Sequence, residues 1–317
     1  GWARLEYGEN GPTLNSTSAN GNDWVKPSDP TPATDYFTGH GVDYNLCVFG
    51  SATDSVTLAD GSTTSTVAAV VNNSNARAQA IDALVAAAGD YAGLTIDFEG
   101  LKGDTIKKNY VTFMQELRAA LPDSKTLYVC VQPDTWYTGF DYRGLGDVCE
   151  KVILMAHDYQ WTSIPESYVG TGNTNSPVTP IASVYEALRD ITDPNTGVRD
   201  ASKIALAISF GTAGFHIDEE GKLLDTTIYH PGASTLAARL AQPDTVVTYS
   251  DKYRNPCAIY TNEEGERYKV WYEDARSVAD KLQLARMFGI SGVSLWRVGT
   301  IPASSGYDVW SAVQAAR

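Results

Sequence analysis

Strand-like and helix-like runs alternate along most of this chain, and that alternation limits the available folds more than any other feature. VDYNLCVFG (42–50), LTIDF (94–98), TLYVCVQP (126–133), KVILMAHDY (151–159), KIALAISFG (203–211) and GVSLWRVG (292–299) are short runs rich in apolar and β-branched residues. Between them, NARAQAIDALVAAAGDY (75–91), TIKKNYVTFMQELRAALP (105–122), FDYRGLGDVCEK (140–151), PIASVYEALRDIT (180–192) and EDARSVADKLQLARMFG (273–289) carry helical spacing, and YDVWSAVQAAR (307–317) closes the chain as a helix. STVAAVVNN (65–73) is a further, weaker strand candidate. Such alternation predicts parallel βα units. Seven or eight of them favour an α/β fold of the (β/α)8 TIM-barrel type, which needs roughly 250 residues.

The surplus has two expected locations. WARLEYG reads as a first strand, and residues 8–40, rich in Gly, Asn, Ser, Thr and Pro, as a long loop. Residues 212–272 break the rhythm with VVTYS and AIYTNEEGERYKVW, a hairpin pattern turning at Asn262–Gly265. The expectation is a single catalytic domain over 1–317 with a small α+β subdomain, about 212–272, inserted between strand 7 and helix 7.

In GLTIDFEG (93–100) two acids interrupt an apolar strand. Residues two apart share a face of a strand, so Leu94, Ile96 and Phe98 face one way and Thr95, Asp97 and Glu99 the other. With the apolar face toward the helix layer, both carboxylates point into the barrel, and Glu99 sits at the strand's C-terminal end, where barrel active sites lie. Two close carboxylates resist double ionisation, which makes one a candidate general acid; a carboxylate pair satisfied by Arg or Lys is the structural alternative. In KVILMAHDY, Met155, His157 and Tyr159 share a face and Asp158 follows at the strand end. Trp296 ends the last strand, as a floor under a bound ring or as a plug of the barrel. Gln132, Asp134, Trp136, Tyr137, Tyr159 and Trp161 follow strand ends, where subsites form.

Net charge is −14, with no basic run, which disfavours nucleic acid and anionic membrane surfaces. No apolar stretch reaches the eighteen residues that suggest a membrane span. Cys47, Cys130, Cys149 and Cys257 form no CxxC pair. They read as buried free thiols serving as small hydrophobes, with a disulfide as the alternative. No metal site is expected, although Asp97, Glu99, His157 and Asp158 are of ligand type. The chain opens at Gly1 with no signal-like segment, and a removed secretion signal fits that start.

These strands resemble the catalytic domain of glycoside hydrolase family 18, the chitinase-like group. The family pattern D-G-x-D-x-D-x-E aligns with Ala92–Glu99, M-x-Y-D with Met155–Asp158, and the terminal Trp of the last strand with Trp296. VWYEDARSVADKLQLARMFGISGVSLWRVG and RAALPDSKTLYVCVQP are similar to the branch of spore-germination and cortex-lytic N-acetylglucosaminidases acting on peptidoglycan. The resemblance covers roughly 42–317. It implies a secreted or spore- and cell-wall-associated hydrolase, with no cofactor, acting on an N-acetylglucosamine-containing glycan. Glu99 would be the general acid, Asp97 would steady the 2-acetamido group that acts as nucleophile, and Trp296 would floor the −1 subsite. Thr95 and Ala92 replace family aspartates, and His157 replaces the family tyrosine. A catalytically silent, lectin-like protein and a chitinase-type endo-enzyme are the alternatives.

Overall fold

The computed structural model of the chain describes residues 1–15, 25–301 and 309–315. It divides into two compact units, Gly1–Leu154 with Asp190–Ile204, and Met155–Arg189 with Ala205–Arg317.

The first unit is built on parallel strands Trp2–Gly8, Leu46–Ser51, Gly93–Glu99, Thr126–Val131 and Lys151–Leu154, paired in that order. Gly11–Leu14 pairs antiparallel with Trp2–Gly8 at one edge. Helices Thr66–Val71, Ser74–Ala87, Asp104–Ala120 and Tyr142–Val148 fall between the strands in chain order. Helix Ser74–Ala87 starts where its sequence suggests: the Asn73 side chain accepts the Asn75 and Ala76 amides. Helix Asp104–Ala120 has apolar residues at helical spacing and buries Tyr110, Phe113, Met114 and Leu117. Phe98 stacks on Tyr110 and Phe113 at 5.6 and 5.5 Å between ring centroids. That contact places the apolar face of the Gly93–Glu99 strand against this helix. Removing a Phe side chain from water contributes roughly 1.5–3 kcal/mol.

Three expectations need correction. The run 65–73 is a helix, Thr66–Val71, with all six residues buried and Ser65 accepting the Ala68 amide. A short apolar run buried all round carries no period to separate helix from strand. Within 8–40, Gly11–Leu14 is a strand and Thr31–Gly39 a helix with Pro at its first turn; residues 16–24 lie outside those described. The strand expected over 151–159 stops at Leu154, and Asp158 has a φ of 60°, which ends any extended alternation. The closing helix is described over Trp310–Ala315, with 307–308 and 316–317 outside the described residues.

The second unit holds a parallel pair, Ile204–Ser209 with Gly292–Trp296, in a register that sets Ser209 beside Trp296. It also holds a five-stranded antiparallel sheet ordered Leu223–Tyr229, Ala213–Ile217, Arg267–Trp271, Asn255–Thr261, Val246–Ser250. In chain order this sheet and helix Ala233–Leu240 fall between Ile204–Ser209 and helix Ala275–Met287. The turn at Asn262–Gly265 forms because the Asn262 side chain accepts the Glu264 and Glu266 amides and Gly265 takes a φ of 82°. One sheet face closes over Phe215, Ile217, Leu223 and Trp271, joined by Ile164 and Val178. Beside it Glu273, fully buried, accepts from Thr179, Asn255, Ser277 and Lys281, whose ammonium is also buried. Asp274 and Ser277 form a capping box that starts helix Ala275–Met287.

Candidate active site

In the first unit the site grows from the polar face of Gly93–Glu99. Pairing with Leu46–Ser51 sets Phe49 beside Asp97 and Ser51 beside Glu99. Pairing with Thr126–Val131 sets Thr95 beside Tyr128 and Ile96 beside Val129, so the next step along both strands brings Asp97 to Cys130. Asp97 is 4% exposed. Burial pushes its carboxyl up to about 6, and a hydrogen bond from the Cys130 thiol opposes that rise. Its Oδ1 is buried with no hydrogen-bond partner. An unpaired buried carboxylate oxygen costs free energy, so its persistence points toward use.

Glu99, half-buried, closes the strand, and its carbonyl accepts the Ala52 amide at 2.8 Å. The next amide, Gly100, donates to Gln132 Oε1 at 2.6 Å with Gly100 at a φ of 82°. Gln132 therefore clamps the chain immediately after Glu99, and its amide nitrogen is what it has left to offer a ligand. Thr95 is half-buried on the Asp97 face. Trp136 stands in an exposed turn whose amide donates to the Pro133 carbonyl. Burial, then the Asp97 charge, push the thiols of Cys47 and Cys130 well up, so both stay protonated. All four cysteines are free; Cys130, Cys149 and Cys257 are buried, while Cys47 is half-buried.

The second unit carries the remaining expected site residues. His157 Nδ1 lies 2.8 Å from Asp158 Oδ2. An ionised carboxylate only accepts, so Nδ1 bears the hydrogen. Burial pushes the Asp158 carboxyl upward, but the His157 hydrogen bond and the attraction of His157 and His230 outweigh it and hold the group below the ordinary carboxylate range. Tyr159 donates its hydroxyl to the Ser183 carbonyl at 3.3 Å and its amide to Val178. Trp296 is 42% exposed at the end of its strand, its carbonyl accepts the Phe210 amide at 2.8 Å, and its peptide bond to Arg297 is cis. Among the described residues, no three His, Cys, Asp or Glu side chains converge as a metal-ligand set.

Two neighbours escaped the reading of the sequence. Cys130, expected as a small hydrophobe, bears on Asp97 by opposing the rise that burial imposes on its carboxyl; strand alternation between outward Val129 and Val131 is the signal for it. His230, just after the Leu223–Tyr229 strand, donates from Nδ1 to the Thr212 carbonyl at 2.6 Å and bears on Asp158, and no local pattern marks it.

Known proteins give this geometry a context. The profile of glycosyl hydrolases family 18 matches residues 56–300. A Bacillus subtilis (strain 168) protein named as a sporulation-specific glycosylase, YdhD, is 27% identical over 247 residues, covering 75% of this chain and 54% of that protein. The cortical fragment-lytic enzyme of Bacillus anthracis is 25% identical over 211 residues, covering 64% of this chain and 45% of that enzyme. The chain thus spans about half the length of the curated relatives it matches. Among solved structures, the chitinase of Chromobacterium violaceum superposes with a TM-score of 0.71 at 22% identity, covering 99% of this chain and 89% of that one. That likeness is one of fold, and it gives the fold class as α/β of the (β/α)8 type.

Proposed function

Because the chain belongs to glycosyl hydrolases family 18, we propose that it hydrolyses β-1,4 bonds that follow N-acetylglucosamine, in peptidoglycan, with Glu99 as general acid. The observation that carries this reading is Asp97: buried, with Oδ1 unpaired, two residues before an acid that ends its strand. An acetamido N–H is the class of donor that a carboxyl oxygen accepts. Glu99 then gives its proton to the glycosidic oxygen while the acetamido oxygen attacks the anomeric carbon. Water opens the oxazolinium intermediate with Glu99 taking back the proton, and configuration is retained. Asp97, ionised above about pH 6, offsets the positive charge of that intermediate.

The proposed substrate-binding residues are Thr95, Gln132 and Trp136 in the first unit and His157, Asp158, Tyr159 and Trp296 in the second, with Trp296 proposed as a ring floor. The antiparallel sheet within 212–272 is the proposed inserted subdomain of a single catalytic domain. Peptidoglycan is preferred over chitin because the matched relatives include a cortical fragment-lytic enzyme, and a spore or cell-wall location follows from the same likeness.

One observation favours a second reading, a carbohydrate-binding protein without turnover. With Nδ1 given to Asp158, neutral His157 has only an acceptor at Nε2. It donates to an acetamido oxygen only as imidazolium, whereas a tyrosine hydroxyl does so at any ordinary pH. Reducing-end release from peptidoglycan and N-acetylglucosamine oligosaccharides, by wild type and Glu99→Gln, decides between the readings. The hydrolase reading expects turnover that falls roughly 10²–10⁴-fold in the variant. Equal turnover in both proteins removes Glu99 from its role, and saturable binding with no release in wild type favours the silent reading.

A further inference from the structure

We propose that a second cleft of the first unit binds the charged peptide stem of peptidoglycan, with Lys107 and Arg143 taking a carboxylate of the peptide and Asp134 an ammonium. This rests on the reading of the substrate as peptidoglycan, and it concerns a part of that substrate to which no binding group had been assigned.

The cleft lies wholly within the first unit and has a volume of about 570 Å³, inside the roughly 300–1,000 Å³ usual for small-molecule sites. Helix Asp104–Ala120 brings Lys107 to its wall, and the chain after strand Thr126–Val131 brings Asp134. Helix Tyr142–Val148 adds Tyr142 and Arg143 from its first turn, and the segment 190–196 adds Asp193. Hydrogen bonds join this wall to the candidate active site. The Tyr142 hydroxyl donates to the Gln132 carbonyl at 2.7 Å, and Gln132 Oε1 holds the Gly100 amide that follows Glu99.

The charged groups on the wall divide into those already committed and those left over. Arg143 donates Nε to the Gly197 carbonyl at 3.0 Å and Nη2 to the Pro194 carbonyl at 2.7 Å. Those bonds fix the guanidinium and leave its Nη1 hydrogens for a ligand. Asp141 accepts the Gly144 amide, and Asp193 the amides of Asn195 and Thr196. Lys107 and Asp134 are each half-buried, and neither has a hydrogen bond or ion pair among the described residues. Asp134 Oδ1 is sealed from solvent, so Oδ2 is the oxygen a ligand meets. A cation and an anion thus line one cleft, each giving up part of its hydration with no partner in return. A molecule that satisfies both carries a carboxylate and an ammonium on one short frame. Neutral N-acetylglucosamine units offer neither group, so chitin gains nothing from this cleft. The peptide stem of peptidoglycan offers both.

The experiment has two arms, both on the full chain. Calorimetry measures binding of the free tripeptide L-Ala-γ-D-Glu-meso-diaminopimelate. Reducing-end release measures kcat/KM on glycan strands with their peptides intact or removed by an amidase. The peptide should bind saturably, more weakly as salt is raised, and not at all once its amines are acetylated. Lys107→Met and Asp134→Asn should each weaken binding roughly two- to fivefold, with Lys107→Arg restoring most of it. The ratio of kcat/KM on intact to stripped strands should fall by a like factor in Lys107→Met. Absence of saturable binding overturns the proposal, as does binding that neither variant weakens or a ratio that Lys107→Met leaves unmoved. Failure of the hydrolase reading has a different signature: the peptide binds and the variants weaken it, yet wild type releases no reducing ends from either form of strand.

Discussion

Replacing Asp97 by asparagine should stabilise this protein, and should do so only above a certain pH. The carboxyl titrates near 3.8 when free and at about 6 in the fold. A displacement of about 2 pH units, at 1.36 kcal/mol each, corresponds to about 3 kcal/mol. The folded state binds the proton more tightly, so between pH 3.8 and about 6 it holds more protons than the unfolded state. Wild-type stability therefore falls as pH rises through that window and stays lower above it. Asparagine has the same shape and no charge to desolvate. At pH 3.5, where the carboxyl is protonated in the fold and mostly protonated when unfolded, the two proteins should unfold at nearly equal urea concentrations. At pH 7 the variant should be the more stable by about 3 kcal/mol. Glu273, fully buried, is also displaced upward by burial, but both proteins contain it and it cancels in the difference. Urea titrations followed by tryptophan fluorescence at pH 3.5, 5 and 7 measure the quantity directly. A difference that is flat with pH, or a variant that loses stability toward neutral pH, would refute the claim that desolvation governs Asp97. A stabilised variant that no longer turns over substrate would mark Asp97 as a group retained at the expense of stability.

Two further outcomes follow from the second unit. Lys281→Met leaves the fully buried Glu273 without the ammonium that lies 2.9 Å from its Oε1; the expected loss is about 3–5 kcal/mol in urea unfolding, with much of it regained in Lys281→Met combined with Glu273→Leu. Trp296→Ala removes a ring that is 42% exposed; KM for an oligosaccharide should rise up to roughly tenfold with the melting temperature little changed, and an unaltered KM would remove Trp296 from the substrate site.

The contrast between what the sequence disclosed and what it hid lies in the range of the interactions involved. Helix Asp104–Ala120 is legible because one face of one segment, Tyr110, Phe113, Met114 and Leu117, repeats at helical spacing. The alternation of Leu94, Ile96 and Phe98 with Thr95, Asp97 and Glu99 is legible for the same reason, at a period of two. Thr66–Val71 is not, because a helix buried on every side shows no period. The end of the Lys151–Leu154 strand is hidden too, since nothing in the local pattern marks Asp158 as a left-handed residue.

The neighbour of Asp97 depends on one step more. Alternation says which way Asp97 faces, but not which residue of the next strand it meets. That is decided by register, and at Gly93 the register has a visible cause. A Cβ at this position would sit 2.1 Å from the Thr126 carbonyl oxygen. Only glycine lets the two backbones approach there, so Gly93 locks opposite Thr126, and each later pair along the two strands follows. A slip by one residue would turn Val129 or Val131 onto the Asp97 face in place of Cys130. The strand neighbour of Asp97 at the candidate site is therefore set by a glycine four residues earlier, whose contribution emerges only once the two strands are side by side.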